Sequence, residues 1–249
     1  MNESFMFIEE NSRTDKDKGI YLRDTACKYA YWGLFSPGPI SPWLFFGSYF
    51  SGNRINFCRL SCQLDKFGWR KKICGNEARF TFDSQGIVFQ YFGQSSRNVE
   101  QQVFVWACLS VQGPCVIRLI EEKFDTHMYI ALLQRDVLPH VSRQSCFIQD
   151  HFPVHVAAAV KTWMKDNDFH LFSSWPEKSG DLMPLNSVFL RVVIDVNKQH
   201  QPIHTKEKLW AEIERHFLLL STDDAYVTDI FDSMPENMIS VVVNNGALL

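Results

Sequence analysis

The sequence predicts an α/β fold: a mixed five-stranded sheet flanked by helices. Three observations carry this. Between residues 73 and 110, three apolar stretches rich in β-branched and aromatic residues are separated by turn signals, which reads as antiparallel strands. From residue 125 onward, stretches with apolar residues three and four apart alternate with short apolar runs, as helices interleaved with strands do. The chain has 249 residues, 46% of them hydrophobic, enough for one full-sized core and an appendage.

Residues 1–45 begin with a charged stretch and pass through the aromatic run Tyr29-Ala30-Tyr31-Trp32-Gly33-Leu34-Phe35 into Ser36-Pro37-Gly38-Pro39-Ile40-Ser41-Pro42. Prolines and a glycine so closely spaced break any helix. This reads as a leader whose aromatics pack on the domain behind it.

The first strand covers residues 73–82 and is introduced by Arg70-Lys71-Lys72. Those three cations have two readings, a nucleic-acid contact or a solvated strand edge that discourages aggregation. The Asp83-Ser84-Gln85-Gly86 turn leads to a strand at 87–92, and a third strand covers 103–110. Asp125 can cap a helix running through Leu132, Leu133 and Val137 to Pro139. A strand around Phe147 follows, then a helix with Val156, Val160, Trp163 and Met164 on one face, then a strand at Phe169-His170-Leu171-Phe172. Thr205 can cap a helix that buries Leu209, Ile213, Phe217 and Leu220, and Asp223 and Asp224 favour the start of another. Three strands, helix, strand, helix, strand, helix is the ribonuclease H-like order.

The stretch with the most chemistry is Cys146-Phe147-Ile148-Gln149-Asp150-His151-Phe152-Pro153-Val154-His155. A short apolar strand delivers Asp150 into a turn closed by a proline and a histidine. An acid at a strand edge is well placed for a ligand or a metal. It is equally well placed to cap the helix that follows.

This stretch resembles the second catalytic motif of the mariner superfamily of cut-and-paste DNA transposases, Gln-Asp-Asn-Ala-Pro-x-His, which Gln149-Asp150-His151-Phe152-Pro153-Val154-His155 matches in order. Trp163 falls where the family has a tryptophan. Trp175-Pro176-Glu177-Lys178-Ser179-Gly180-Asp181-Leu182-Met183-Pro184-Leu185-Asn186 follows the family's Trp-Pro-Pro-x-Ser-Pro-Asp-Leu-Asn-Pro-Ile-Glu, with one extra residue before the tryptophan. That ending marks the branch whose third catalytic acid is glutamate. Upstream, residues 69–80 are similar to the family's first catalytic strand, Asn53-Arg54-Ile55-Asn56-Phe57-Cys58 to its linker helix, and Val105-Trp106-Ala107-Cys108-Leu109-Ser110 to a further strand. Tyr129 to Leu133 and the regions of Trp210 and Met234 resemble later helices.

The resemblance implies a division into residues 1–45, a leader or remnant of the family's DNA-binding region; 46–68, a linker helix; and 69–249, a ribonuclease H-like catalytic domain. It also implies DNA cleavage and strand transfer with magnesium as cofactor, through three acids that hold two divalent ions. The matching positions here are Asn76, Asp150 and Asn186, so one acid of three is present and Asp150 is the candidate metal ligand. Glu77 is expected to point away from Asp150, because successive strand residues face opposite sides of a sheet. Asp83 is expected in a turn, and Asp181 matches a non-catalytic acid of the family motif. Arg70, Lys71, Lys72 and His155 are the candidate nucleic-acid contacts.

A transposase-derived protein that no longer cleaves DNA is the expected function. An active nuclease with a depleted metal site and a protein-interaction module without nucleic-acid contact are the alternatives. The net charge of −3 predicts weak DNA binding, since phosphate contacts need surplus positive charge. Seven cysteines without regular spacing predict reduced thiols. Cys58 and Cys62 have no matching His or Cys pair for zinc. No apolar run approaches the roughly 20 residues of a membrane span, and the polar start lacks the apolar stretch of a secretory signal. Expected partners are DNA, a second copy of the chain or a host nuclear protein, and the expected location is the nucleus.

Overall fold

The computed structural model describes residues 43–91, 101–113, 115–172, 175–199 and 201–249, without the side chains of residues 43–51 and 91. The aromatic run at 29–35, the proline-rich segment at 36–42 and Phe92 lie outside the described residues. In chain order the elements are helix α1 (Trp43–Ser61), the single turn α2 (Lys66–Trp69), strands β1 (Lys72–Phe82), β2 (Val88–Tyr91), β3 (Val103–Ser110) and β4 (Val116–Leu119), helix α3 (Thr126–Leu132), strand β5 (Cys146–Ile148) and helices α4 (Ala158–Asp166), α5 (Pro184–Lys198), α6 (Lys206–Ser221), α7 (Asp224–Asp232) and α8 (Met234–Val243).

β1 is the axis of the sheet. β3 runs antiparallel along one of its edges, from Ile73↔Ser110 to Phe80↔Val103, and β4 extends the sheet beyond β3. The other edge of β1 is shared. β2 pairs antiparallel with its C-terminal end, and β5 pairs parallel with its start, Lys72↔Cys146 to Cys74↔Ile148. The sheet is therefore mixed and five-stranded, as expected, but its fifth member differs from expectation. β4 was not foreseen, and residues 169–172 form only one bridge, Leu171 to Phe147. That segment makes two backbone bonds to Phe147. It then places Phe172 edge-on against Phe57 and Trp69.

Alternation along β1 and β3 divides the core between two faces. Cys74, Ala78, Phe80, Val105, Ala107 and Leu109 pack beneath α5 and α6, with the Phe80 ring edge-on to Phe189 at 5.7 Å. Ile73, Trp106 and Cys108 pack on the opposite face with Tyr129, Leu133, Val160 and Met164 of α3, its continuation and α4. Gly75 makes the second face possible where β5 joins. A Cβ at Gly75 would lie 2.3 Å from Cζ of Phe147, so only a glycine lets that ring cross β1.

The predicted caps form. Asp125 accepts from His127 N and Met128 N, Thr205 from Lys208 N and Asp223 from Tyr226 N. Asp83 sits in the expected turn and accepts from Gln85 N and Ile87 N, with Gly86 at φ 79°. The helix after Asp125 widens into a π-helical turn at Leu133–Val137 and tightens into a 3-10 turn at Leu138–His140, where Pro139 ends it. Asn197 of α5 both donates to and accepts from the backbone of Val88, covering part of the β2 edge. The six described cysteines are all free thiols. No helix among the described residues is long and apolar enough to cross a membrane.

Candidate functional site

A cleft of about 500 Å³ opens where β1, the end of β5 and the start of α5 meet; Asn76, Glu77, Asp150, Trp175, Met183 and Asn186 are among the residues that line it. The three positions matching the family's acids are thus brought to one place. Each arrives by a different route. Asn76 is in the middle of β1, paired with Ala107 on the α5 face of the sheet. Asp150 follows β5 by two residues. Asn186 is the third residue of α5, whose first turn starts at Pro184, a favoured first helical position for proline.

The two asparagines are tied to each other. Asn76 Nδ2 donates to Asn186 Oδ1 at 3.1 Å, and Asn186 Nδ2 donates to the carbonyl of Gly180 at 2.9 Å. The second bond needs an amide, since a carboxylate has no proton to give. Asn76 is 6% exposed, and its Oδ1 has no hydrogen-bond partner.

Asp150 does not cap a helix. Its Oδ1 accepts from Phe152 N at 2.9 Å and from His155 Nδ1 at 2.8 Å, closing a turn, and α4 begins only at Ala158, after Ala157, which makes no side-chain cap. Val156 accordingly lies outside the helix. His155 is fully buried and holds Asp150 on one ring nitrogen while the other, Nε2, stands 3.2 Å from Glu77 Oε2. That second contact is an ion pair without hydrogen-bond alignment, because both atoms lack a hydrogen-bond partner. The ring is held at 4.5 Å from that of Tyr129. Tyr129 OH donates to Gln149 Oε1, and Gln149 Nε2 donates to the His155 carbonyl.

Burial opposes a charge on His155, but Glu77 and then Asp150 outweigh it and raise its pKa to about 9. Burial likewise pushes Asp150 up, and the hydrogen bond and charge of His155 more than offset this, leaving its carboxyl below the usual range.

Glu77 is therefore a correction. Alternation holds, since Glu77 pairs with Trp106 on the face opposite Asn76, yet Glu77 and Asp150 meet through His155. Asp150 lies past the end of β5, in a turn reached from both faces, so strand alternation does not assign it to one. Glu77, Asp150 and His155 each place a potential metal-ligand atom within 4.8 Å of the other two.

The other candidates are committed elsewhere. Arg70 makes a two-pronged pair with Asp232 of α7. Lys72 is 7% exposed, its ammonium 4.7 Å from the centre of the Phe172 ring, and Lys71 alone of the three is exposed. The triplet is thus neither a cationic patch nor a solvated edge, because two of its members fasten β1 to its neighbours. Buried His155 presents no surface to a nucleic acid. Asp181 is buried against Arg54 of α1 and accepts from Leu249 N.

No family model matches the chain, and no curated protein matches it. Solved structures do. The catalytic domain of Mos1 transposase with raltegravir and manganese superposes with a TM-score of 0.61 at 17% identity, over 86% of this chain and 100% of that one. The fold is that of a mariner transposase catalytic domain. A pre-cleavage Mos1 transpososome matches with a TM-score of 0.64 at 15% identity, over 86% of this chain and 66% of that one. A Mos1 paired-end complex with the left transposon end matches at 0.59 and 16%, over 86% and 66%.

Sequence reasoning missed the pairing of Glu77 with His155. The proline turn between Asp150 and His155 was a usable signal for their contact. The approach of Glu77 had none, because it depends on the register of β5 against β1.

Proposed function

We propose that this is a transposase-derived protein of the glutamate-ending branch of the mariner superfamily, whose catalytic domain neither cleaves nor joins DNA. The observation that carries the reading is the hydrogen bond from Asn76 to Asn186. A pair of divalent ions between three acids needs anionic oxygens. Here two of the three positions are neutral amides, with Asn186 engaged on both its oxygen and its nitrogen. Each amide removes one negative charge from a partly enclosed site where such charges interact strongly. The residues present do not fit a metal pair, and no catalytic step is assigned to them. Loss of the acids also removes their mutual repulsion, which lets the fold persist without the ions.

On this reading, residues 46–68 are the family's linker helix, anchored by Arg54, and 69–249 the former catalytic domain, with 1–45 a leader or remnant of DNA-binding sequence. DNA is held weakly and through salt-sensitive phosphate contacts, given the net charge of −3 and the engagement of Arg70 and Lys72 within the fold. The protein acts in the nucleus, with a second copy or a host nuclear protein as partner. The test is incubation with supercoiled plasmid and transposon-end duplexes in magnesium and in manganese. No nicking is expected. Metal-dependent nicking that disappears in Asp150→Asn overturns the reading.

A further inference from the structure

We propose that residues 246–249, the segment after α8, form a latch that closes over the Arg54–Asp181 pair and through it sets where Asn186 stands in the cleft. The latch goes beyond the inactive reading above and does not depend on it, since neither the segment nor the ion pair lines the cleft.

The chain reverses at the end of α8. Gly246 N donates to the Val241 carbonyl at 2.8 Å and Asn245 N to that of Val242 at 3.3 Å, the bonds that close a helix with a left-handed residue. Asn245 and Gly246 are both left-handed, at φ 53° and 85°, and the chain beyond them returns to α1. There the Ala247 carbonyl accepts from Arg54 Nη2 at 3.3 Å, and Leu249 N donates to Asp181 Oδ2 at 3.0 Å. One short segment thus holds both members of the ion pair, and Leu249 packs at the margin of the core.

Asp181 is where the latch meets the cleft. It belongs to the 3-10 turn Gly180–Leu182, and the carbonyl of its neighbour Gly180 accepts from Asn186 Nδ2 at 2.9 Å. Asn186 Oδ1 in turn accepts from Asn76. Leu182 and Met183 are buried and fix the far end of the turn in the core, so the latch acts on Gly180 and Asp181. It is also built to open. Two backbone hydrogen bonds fasten it to the pair, and Ala247 and Leu248 are exposed. Arg54 Nε is buried without a hydrogen-bond partner, so water admitted when the segment lifts satisfies a donor that the closed state does not.

The experiment is nitrogen–proton correlation NMR of the whole chain, read at the side-chain amides of Asn186 and Asn76, which Asn186→Asp and Asn76→Asp assign by deleting them. Leu249→Pro removes the N–H that reaches Asp181. It should shift the Asn186 amide signals and speed their hydrogen exchange by roughly 10-fold, while Leu249→Ala, which keeps the N–H, leaves them in place. Should Leu249→Pro fail to fold, as judged by circular dichroism, Gly246→Val displaces the segment by straining the φ of 85°, with the same expected shift. Unchanged Asn186 signals in the folded variant, or an equal shift in Leu249→Ala, overturn the proposal. Magnesium-dependent nicking would sink the inactive reading and leave the latch standing, so the two fail separately.

Discussion

Asn76 donates a hydrogen bond to Asn186 across the cleft, 3.1 Å from amide to amide, joining the middle of β1 to the first turn of α5. They form a neutral contact, and it can be reversed.

Asn76→Asp combined with Asn186→Glu puts acids at both amide positions, beside the Asp150 and Glu77 that already line the cleft. Without metal the variant is expected to lose about 1–3 kcal/mol, since the hydrogen bond between the two amides disappears and buried like charges face each other. That lowers the melting temperature by about 2–4 °C per kcal/mol for a chain of this size. Magnesium should restore it by binding the native state alone, and it should leave the wild-type curve unmoved. A wild-type shift in magnesium equal to the variant's would contradict the amide argument.

Gly75→Ala should destabilise the chain by about 1–3 kcal/mol, because the new methyl carbon meets the Phe147 ring at 2.3 Å and the ring cannot retreat without opening the second core. Urea unfolding checks this. Adding Phe147→Leu should recover part of the loss, as expected for two residues in contact.

Asp181 and Arg54 are both nearly inaccessible, with side chains 2% and 5% exposed. Removing one partner strands the other charge, so Asp181→Asn or Arg54→Ala should cost about 3–5 kcal/mol. A double change of Arg54→Met and Asp181→Leu should cost clearly less than the two single costs added together. Strict additivity in the melting series would mean that α1 is held by its apolar face, with Phe57 against Trp175, and not by the pair.

Acid stability should depend on Asp136. Burial pushes its carboxyl up, but Arg118 and Arg135 outweigh this and hold it below its ordinary 3.8. A depressed carboxyl adds stability at pH above the unfolded-state value, and that stability is lost as pH falls through the lower folded value. Asp136→Asn should therefore lower stability at neutral pH and flatten the acid limb of the stability curve. An acid limb identical to the wild type's would show that another carboxylate governs it.

Signals confined to a few adjacent residues were legible in the sequence: the caps at Asp125, Thr205 and Asp223, the Asp83 turn, the first three strands and the ribonuclease H-like order. The convergence of Asn76, Asp150 and Asn186 could be expected because motif order implied a known chain path. β4 escaped notice because four residues carry too little periodicity to separate a strand from a loop. The opposite error arose at residues 169–172, whose apolar character serves the packing of Phe172 against α1 and α2 instead of strand pairing. Sequence by itself determined which residue types stand at the cleft, and so its charge. Only the tertiary structure decided who meets whom there. Asp150 lies beyond the end of its strand, where alternation no longer assigns a face, and its partners are set by the register of β5 on β1 and the fold of the turn that returns His155 beneath it.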